Sequence, residues 1–189
     1  NHSNELFSIV KNFELYNDLI SLLKKNFFFK KKNKKIKLNY DDYKLIINCD
    51  SNNFFTKKYF YKKFNKEYDS YAYTTVIDHK KLSRNNTAIQ IFTKRGPLAF
   101  LPISSKKTSV VYSVRNYGNI DLKKTIEKYN TKYSITKINQ IFNFKLISSN
   151  LRNYYHKNIL AFGELLHKVH PLAGQGFNMS IRDIKLLLE

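Results

Sequence analysis

Only five glycines occur in the 189 residues, and Gly163, Gly174 and Gly176 lie within fourteen positions of one another. An apolar run, Ile159 to Phe162, ends in Gly163-Glu164; a loop holding His167, His170 and Pro171 follows, and Gly174-Gln175-Gly176-Phe177-Asn178 then opens a helical pattern. A helix start presents unsatisfied N–H groups and a positive dipole end, and glycines let a ligand approach that backbone closely. Such a turn can hold an anion or an electron-rich ring edge. The alternative on spacing alone is a glycine-rich strand-to-helix turn without a ligand. His167 and His170 could suggest a metal pair, but no third ligand accompanies them at suitable spacing, so no metal is expected. Cys49 reads as a small residue buried beside an apolar strand rather than a nucleophile. Asp50 is either a ligand-shaping carboxylate or a turn residue.

Elements must position these groups. Tyr43 to Asp50 has the look of a buried strand running into the turn formers Ser51, Asn52 and Asn53. Leu6 to Val10 reads as a short strand. Phe13 to Lys25 reads as a helix with Leu15, Leu19, Leu22 and Leu23 at helical spacing. From Tyr71 to Val114 the pattern is all strand: Tyr71 to Asp78, Thr87 to Thr93, Leu98 to Ile103 and Thr108 to Val114 alternate with Asn, Gly, Pro or Ser turns. Ile120 to Tyr133 fits an amphipathic helix, Ile141 to Ile147 a strand and Asn158 to Phe162 a buried strand. The last helix places Phe177, Ile181, Ile184 and Leu188 on one face.

Composition sets the outer bounds. At 42% hydrophobic and 15% aromatic the chain can bury a real core, which argues against disorder. The longest stretch without a charged residue is Val169 to Ile181, too short to span a bilayer as a helix. One cysteine cannot close an internal disulfide, and a reducing, cytoplasmic setting fits. The net charge is +20, yet 29 of the 34 basic residues are Lys, whereas phosphate and base recognition favours the planar Arg fork. Lys, Asn, Ile, Phe and Tyr, all with A/T-rich codons, make up 98 of the 189 residues, so the basicity reads mainly as compositional drift. The crowded lysines from Lys30 to Lys37 read as a solvated loop or strand edge, with contact to anionic lipid as the alternative.

The segment Gly163-Glu164-Leu165-Leu166-His167-Lys168-Val169-His170-Pro171-Leu172-Ala173-Gly174-Gln175-Gly176-Phe177-Asn178, followed by Arg182-Asp183, resembles the second flavin-binding motif of the FAD-dependent aromatic-ring hydroxylases. That pattern reads G-D-A-A-H, three residues, P, two residues, G-Q-G, one residue, N, then R-D. The wording from His170 to Asn178 is similar to that of the ubiquinone-biosynthesis branch. Gly96-Pro97-Leu98-Ala99-Phe100-Leu101-Pro102-Ile103 and Ser109-Val110-Val111-Tyr112-Ser113 resemble two further strands of that branch, and Tyr43 to Asn53 sits where the family has a strand and an A-D-G motif. The departures are Glu164 for Asp, Leu165-Leu166 for two small residues that would leave the cofactor more room, and Ser51 for Gly. The family's G-x-G-x-x-G turn does not occur in this sequence, and the chain opens at Asn1 and stops inside a helical pattern at Glu189, as expected of a fragment that begins downstream of that turn.

The resemblance implies an α/β (α+β) fold: a Rossmann-like FAD-binding layer with an antiparallel β-sheet substrate layer, incomplete at both ends. Residues 1–55 and 134–189 would form parts of the FAD-binding layer, 68–116 the substrate sheet and 117–133 a connecting helix. It implies that Gly174, Gln175, Gly176, Phe177 and Asn178 set backbone N–H groups against the flavin ring. Gly163 and Glu164 take the G-D position, Pro171 borders the reacting face and Asp50 shapes the cofactor site from the opposite motif. Pro97, Leu101, Pro102 and Tyr112 belong to an apolar substrate chamber, with Tyr112 more simply a packing residue; no catalytic side chain is assigned. The implied reaction uses NAD(P)H as reductant, FAD and dioxygen to hydroxylate an aromatic ring, a prenylated quinone precursor.

Peripheral contact with the inner face of the membrane, or with a ubiquinone-biosynthesis complex, goes with that reading, and nucleic acid does not. The rival classes are a catalytically degenerate relative and a basic nucleic-acid or membrane-surface module. Since tight FAD binding draws on both halves of the site, the 189-residue piece is expected to be colourless, poorly soluble and inactive by itself.

Overall fold

The computed structural model describes residues 8–31, 40–115, 120–169 and 175–189. Its larger sheet grows from strands whose residues alternate between a buried and an open face. β2 (Lys63–His79), β3 (Ile89–Thr93), β4 (Gly96–Ser104) and β5 (Lys107–Arg115) pair antiparallel with β6 (Ile135–Ile138), β7 (Phe142–Leu151) and β10 (His167–Lys168). The order is β10-β7-β2-β5-β4-β3, and β6 joins β2 beyond β7. Leu98, Tyr112 and Tyr73 face one another across three strands, as do Phe100, Val110 and Thr75, and all six are buried. The helix α3 (Leu122–Tyr129), capped by Asp121, covers this side with Leu122 and Ile126, which are 1% and 0% exposed.

A smaller sheet has the order β1-β9-β8, from β1 (Ile46–Asn48), β9 (Ile159–Ala161) and β8 (Tyr155–His156). β1 and β9 run parallel, Ile46 beside Ile159 and Asn48 beside Ala161, although more than a hundred residues separate them in sequence. Between them comes α2 (Phe54–Tyr59), whose Phe55 packs with Phe60, Leu151, Ile159, Ala161 and Leu165 in a second core. Two further helices, α1 (Asn12–Lys24) and α4 (Gln175–Leu188), bury no residue fully.

Several sequence expectations shift here. β2 begins at Lys63 rather than Tyr71, because its first turns of strand are exposed and charged and lack an apolar alternation. β6 and β7, which the sequence groups with the α/β layer, are strands of the large antiparallel sheet. Residues 8–10 form no strand, and the rest of the expected Leu6 to Val10 strand lies outside the described residues, as does most of the Lys30 to Lys37 run. The helix at the C-terminal end is present, but its apolar face is open: Phe177, Ile181, Ile184 and Leu188 are 53%, 49%, 43% and 81% exposed.

Candidate functional site

The parallel pairing of β1 with β9 brings two sequence motifs to one place. Both strands end on the same side, so the Asp50 turn leaves β1 next to the Gly163-Glu164 turn that leaves β9, and Phe162 N donates to Asn48 O at 2.9 Å across the junction. The carboxyl ends of neighbouring parallel strands are where open α/β sheets bind their ligands.

Side-chain hydrogen bonds build the Asp50 turn. Asn48, 3% exposed, donates from Nδ2 to Thr56 Oγ1 at 2.9 Å and accepts at Oδ1 from Asp50 N and Asn53 Nδ2. Thr56 Oγ1 donates to Asp50 O at 2.6 Å, and Asn53 Oδ1 caps α2 by accepting from Thr56 N. Asp50 itself is exposed and accepts at Oδ1 from Asn52 N at 2.8 Å. The sequence reading singles out Asp50 but misses Asn48, Asn53 and Thr56, which shape its backbone; the N-x-D-x-x-N-x-x-T spacing is the signal that could have found them. Cys49, expected to be buried, is exposed, although partial desolvation pushes its thiol above the ordinary value.

Gly163 has φ 64°, a left-handed conformation that a side chain disfavours, and starts a 3₁₀ turn closed by Leu166 N donating to Gly163 O. Glu164 stands exposed on that turn. Leu165 is 3% exposed and packs into the second core, so the residue that the resemblance marks as crowding a cofactor serves packing instead. α4 lies against this turn: a Cβ on Gly163 would sit 3.9 Å from Ser180 Oγ. Gln175, Gly176, Phe177 and Asn178 form the first turn of α4, with Gly176 O accepting from Ser180 Oγ at 3.1 Å. Unlike Gly163, Gly176 has an ordinary helical φ, and among the described residues a Cβ there would meet Val169 Cγ2 in ordinary contact at 3.7 Å. His170, Pro171 and Gly174 lie outside the described residues.

The expected substrate residues divide between the two faces of the large sheet. Tyr112 is 3% exposed, its hydroxyl bonded to Thr93 Oγ1 at 2.9 Å, and it belongs to the core beneath α3. Pro102 pairs with the buried Thr108 on that same side. Strand alternation turns Pro97 and Leu101 to the opposite, open face. There Ala99, Val111, Thr74 and Phe142 form a continuous row across four strands, beside a groove of ≈ 250 Å³ lined in part by Val76, Ser109 and Phe142. Two large rings, Phe142 and Phe144, are 50% and 55% exposed on this side. The face is therefore apolar, shallow and uncovered among the described residues.

No protein-family model matches the chain. Its curated relatives include the ubiquinone hydroxylase UbiL of Rhodospirillum rubrum, 25% identical over 134 residues that cover 65% of this chain and 30% of the relative. The mitochondrial ubiquinone biosynthesis monooxygenase COQ6 of Homo sapiens is 24% identical over 188 residues, covering 76% of this chain and 40% of that protein. The 3-demethoxyubiquinol 3-hydroxylase of Escherichia coli is 27% identical, with 53% of this chain and 28% of the relative aligned. The chain thus spans well under half the length of these relatives. Among solved structures it is similar to CmlS, a flavin-dependent halogenase (TM-score 0.52, 13% identity, 72% of this chain and 28% of that one), and to CabE, an aromatic hydroxylase from angucycline biosynthesis (TM-score 0.50, 15% identity, 74% and 30%). These two likenesses concern the fold. No helix among the described residues is long and apolar enough to cross a membrane.

Proposed function

We propose, from the relation to the ubiquinone hydroxylases, that the chain forms the flavin-ring and substrate part of a monooxygenase that hydroxylates an aromatic ring. The observation that carries the reading is the parallel β1–β9 pair, which sets the Asp50 turn beside the Gly163-Glu164 turn under the start of α4. The residues fit FAD: two exposed carboxylates flank the strand ends, and the first turn of α4 carries Gly176, whose Cβ position is unobstructed among the described residues.

In this proposal the N–H groups of Gln175, Gly176, Phe177 and Asn178 meet the electron-rich edge of the flavin ring, where the helix dipole favours negative charge. Asp50 and Glu164 accept hydrogen bonds from its polar chain, and Gly163 lets that chain pass close to the strand end. Pro171 and Gly174 complete the clamp. Bound FAD, reduced by NAD(P)H, supplies the activation of dioxygen that ring hydroxylation needs. The open face bearing Pro97, Leu101 and Val111 offers apolar contact that suits a prenylated precursor. Peripheral contact of a cytoplasmic protein with the inner membrane face belongs to the same proposal.

An equilibrium titration with FAD, followed by flavin fluorescence, tests it. The wild-type chain should bind weakly but saturably, and Gly176→Val should weaken binding at least about tenfold, the cost of losing roughly 1.4 kcal/mol of backbone contact. The double variant Lys30→Ala/Lys31→Ala should bind like wild type. Equal weakening by both changes would reject the site.

A further inference from the structure

We propose that the basic, aromatic surface around the turn after α2 docks the protein on an anionic lipid bilayer, with a lipid phosphate headgroup seated in the cleft at its centre. This deepens the peripheral association of the preceding proposal by naming its surface, and its test does not depend on flavin. The turn after α2 meets the turn between β7 and β8, where Arg152 N donates to Lys62 O at 3.0 Å. A cleft of ≈ 200 Å³ opens there, lined by Lys58, Tyr59, Tyr61, Lys62, Asn153 and His156, with no Asp or Glu in its wall. The His156 ring stacks on Tyr59, centroids 4.0 Å apart and planes nearly parallel.

Cations lie over exposed rings all round the cleft. Lys58 Nζ is 5.4 Å from the Phe54 centroid and 5.2 Å from Tyr59, Lys62 Nζ is 5.7 Å from Tyr61, and the Arg152 guanidinium is 5.1 Å from Phe64. Phe54, Tyr61 and Phe64 are 64%, 62% and 61% exposed. One exposed ring would be unremarked on any protein surface, but three between the start of α2 and the start of β2, each beside a cation, form an amphipathic layer. Rings of this kind settle at headgroup depth while lysine stems reach back to the charged plane. Lipid suits the surface better than nucleic acid, because the cleft itself offers lysines rather than arginine forks.

Cosedimentation of the full chain with phosphatidylcholine vesicles, with and without phosphatidylserine, tests the docking. Binding should require phosphatidylserine and fall with salt. Lys58→Ala/Lys62→Ala should lower it roughly 25-fold, about fivefold for each lysine lost near an anionic surface. Tyr61→Ala/Phe64→Ala should also lower it, and Lys123→Ala/Lys128→Ala on α3 should not, with circular dichroism unchanged throughout. Vesicle binding insensitive to the Lys58 and Lys62 change, or equally sensitive to the α3 pair, overturns the proposal. So does binding of a single-stranded oligonucleotide, in place of vesicles, that the Lys58 and Lys62 change abolishes. Gly176→Val should keep vesicle binding intact, so loss of flavin and loss of docking remain separable.

Discussion

Asn48 shows how one buried amide can organise a ligand-facing turn. Its Nδ2 and Oδ1 together engage Thr56, Asp50 and Asn53, and its carbonyl ties β1 to β9 through Phe162 N. Replacing Asn48 with Leu keeps the branching of the side chain but leaves the Asn53 amide and the Asp50 N–H without that acceptor. Stability should fall by about 1–3 kcal/mol in urea unfolding, and FAD affinity should fall with it. Gly163→Ala should cost about 1–2 kcal/mol because φ 64° is left-handed, whereas Gly176→Ala should leave the unfolding midpoint nearly unchanged. The contrast separates a glycine that the backbone needs from one whose Cβ position is unobstructed among the described residues. Sequence alone made Asp50, Gly163 and Gly176 visible through their turn chemistry. Asn48 was passed over, because the turn spacing that marks it reaches Thr56 inside a short helix that the aromatic run Phe54-Phe55 disguises.

Elements with regular alternation were readable, and those whose partners are distant were not. β4 is a continuous apolar run and β5 follows apolar alternation closely, so both were legible as strands, and Gly96 in the tight approach to Ser113 O explains the glycine before Pro97. The assignment of Tyr112 to a substrate chamber failed to account for register: Leu98, Tyr112 and Tyr73 stand opposite one another and turn into the core. Ile126 closes that core at 0% exposure, and Ile126→Ala should lower stability by about 2–5 kcal/mol. At the far end of β2, Asp78 accepts from Asn139 Nδ2 at 3.0 Å and pairs with Lys107 at 3.2 Å, and these hydrogen bonds hold its carboxyl below the ordinary range. A carboxyl depressed in the folded state stabilises above its unfolded pKa, near 4, and that contribution is lost as pH falls through the lower folded value. Asp78→Asn should therefore flatten the decline of the melting temperature between neutral pH and about pH 3.

At the scale of the molecule, the parallel β1–β9 contact is the least local feature and the one on which the functional reading rests. Every strand of the antiparallel sheet except β10 is inserted between these two strands, so neither length nor periodicity could show that they are neighbours; only the resemblance of their flanking motifs pointed there. The apolar faces of α1 and α4 were legible but their exposure was not, because helical spacing of apolar residues reports amphipathicity and not the presence of a covering partner. The central claim is that the ends of β1 and β9 and the start of α4 form one flavin seat. Amide chemical-shift mapping of the isotope-labelled chain during FAD addition tests it most directly. The account predicts saturable shifts at Asp50, Gly163, Glu164 and Gly176 to Asn178, with α3 and the core strands unmoved. Shifts confined to the cleft around Lys58 and Lys62, or no saturable shift at the three turns, would contradict it.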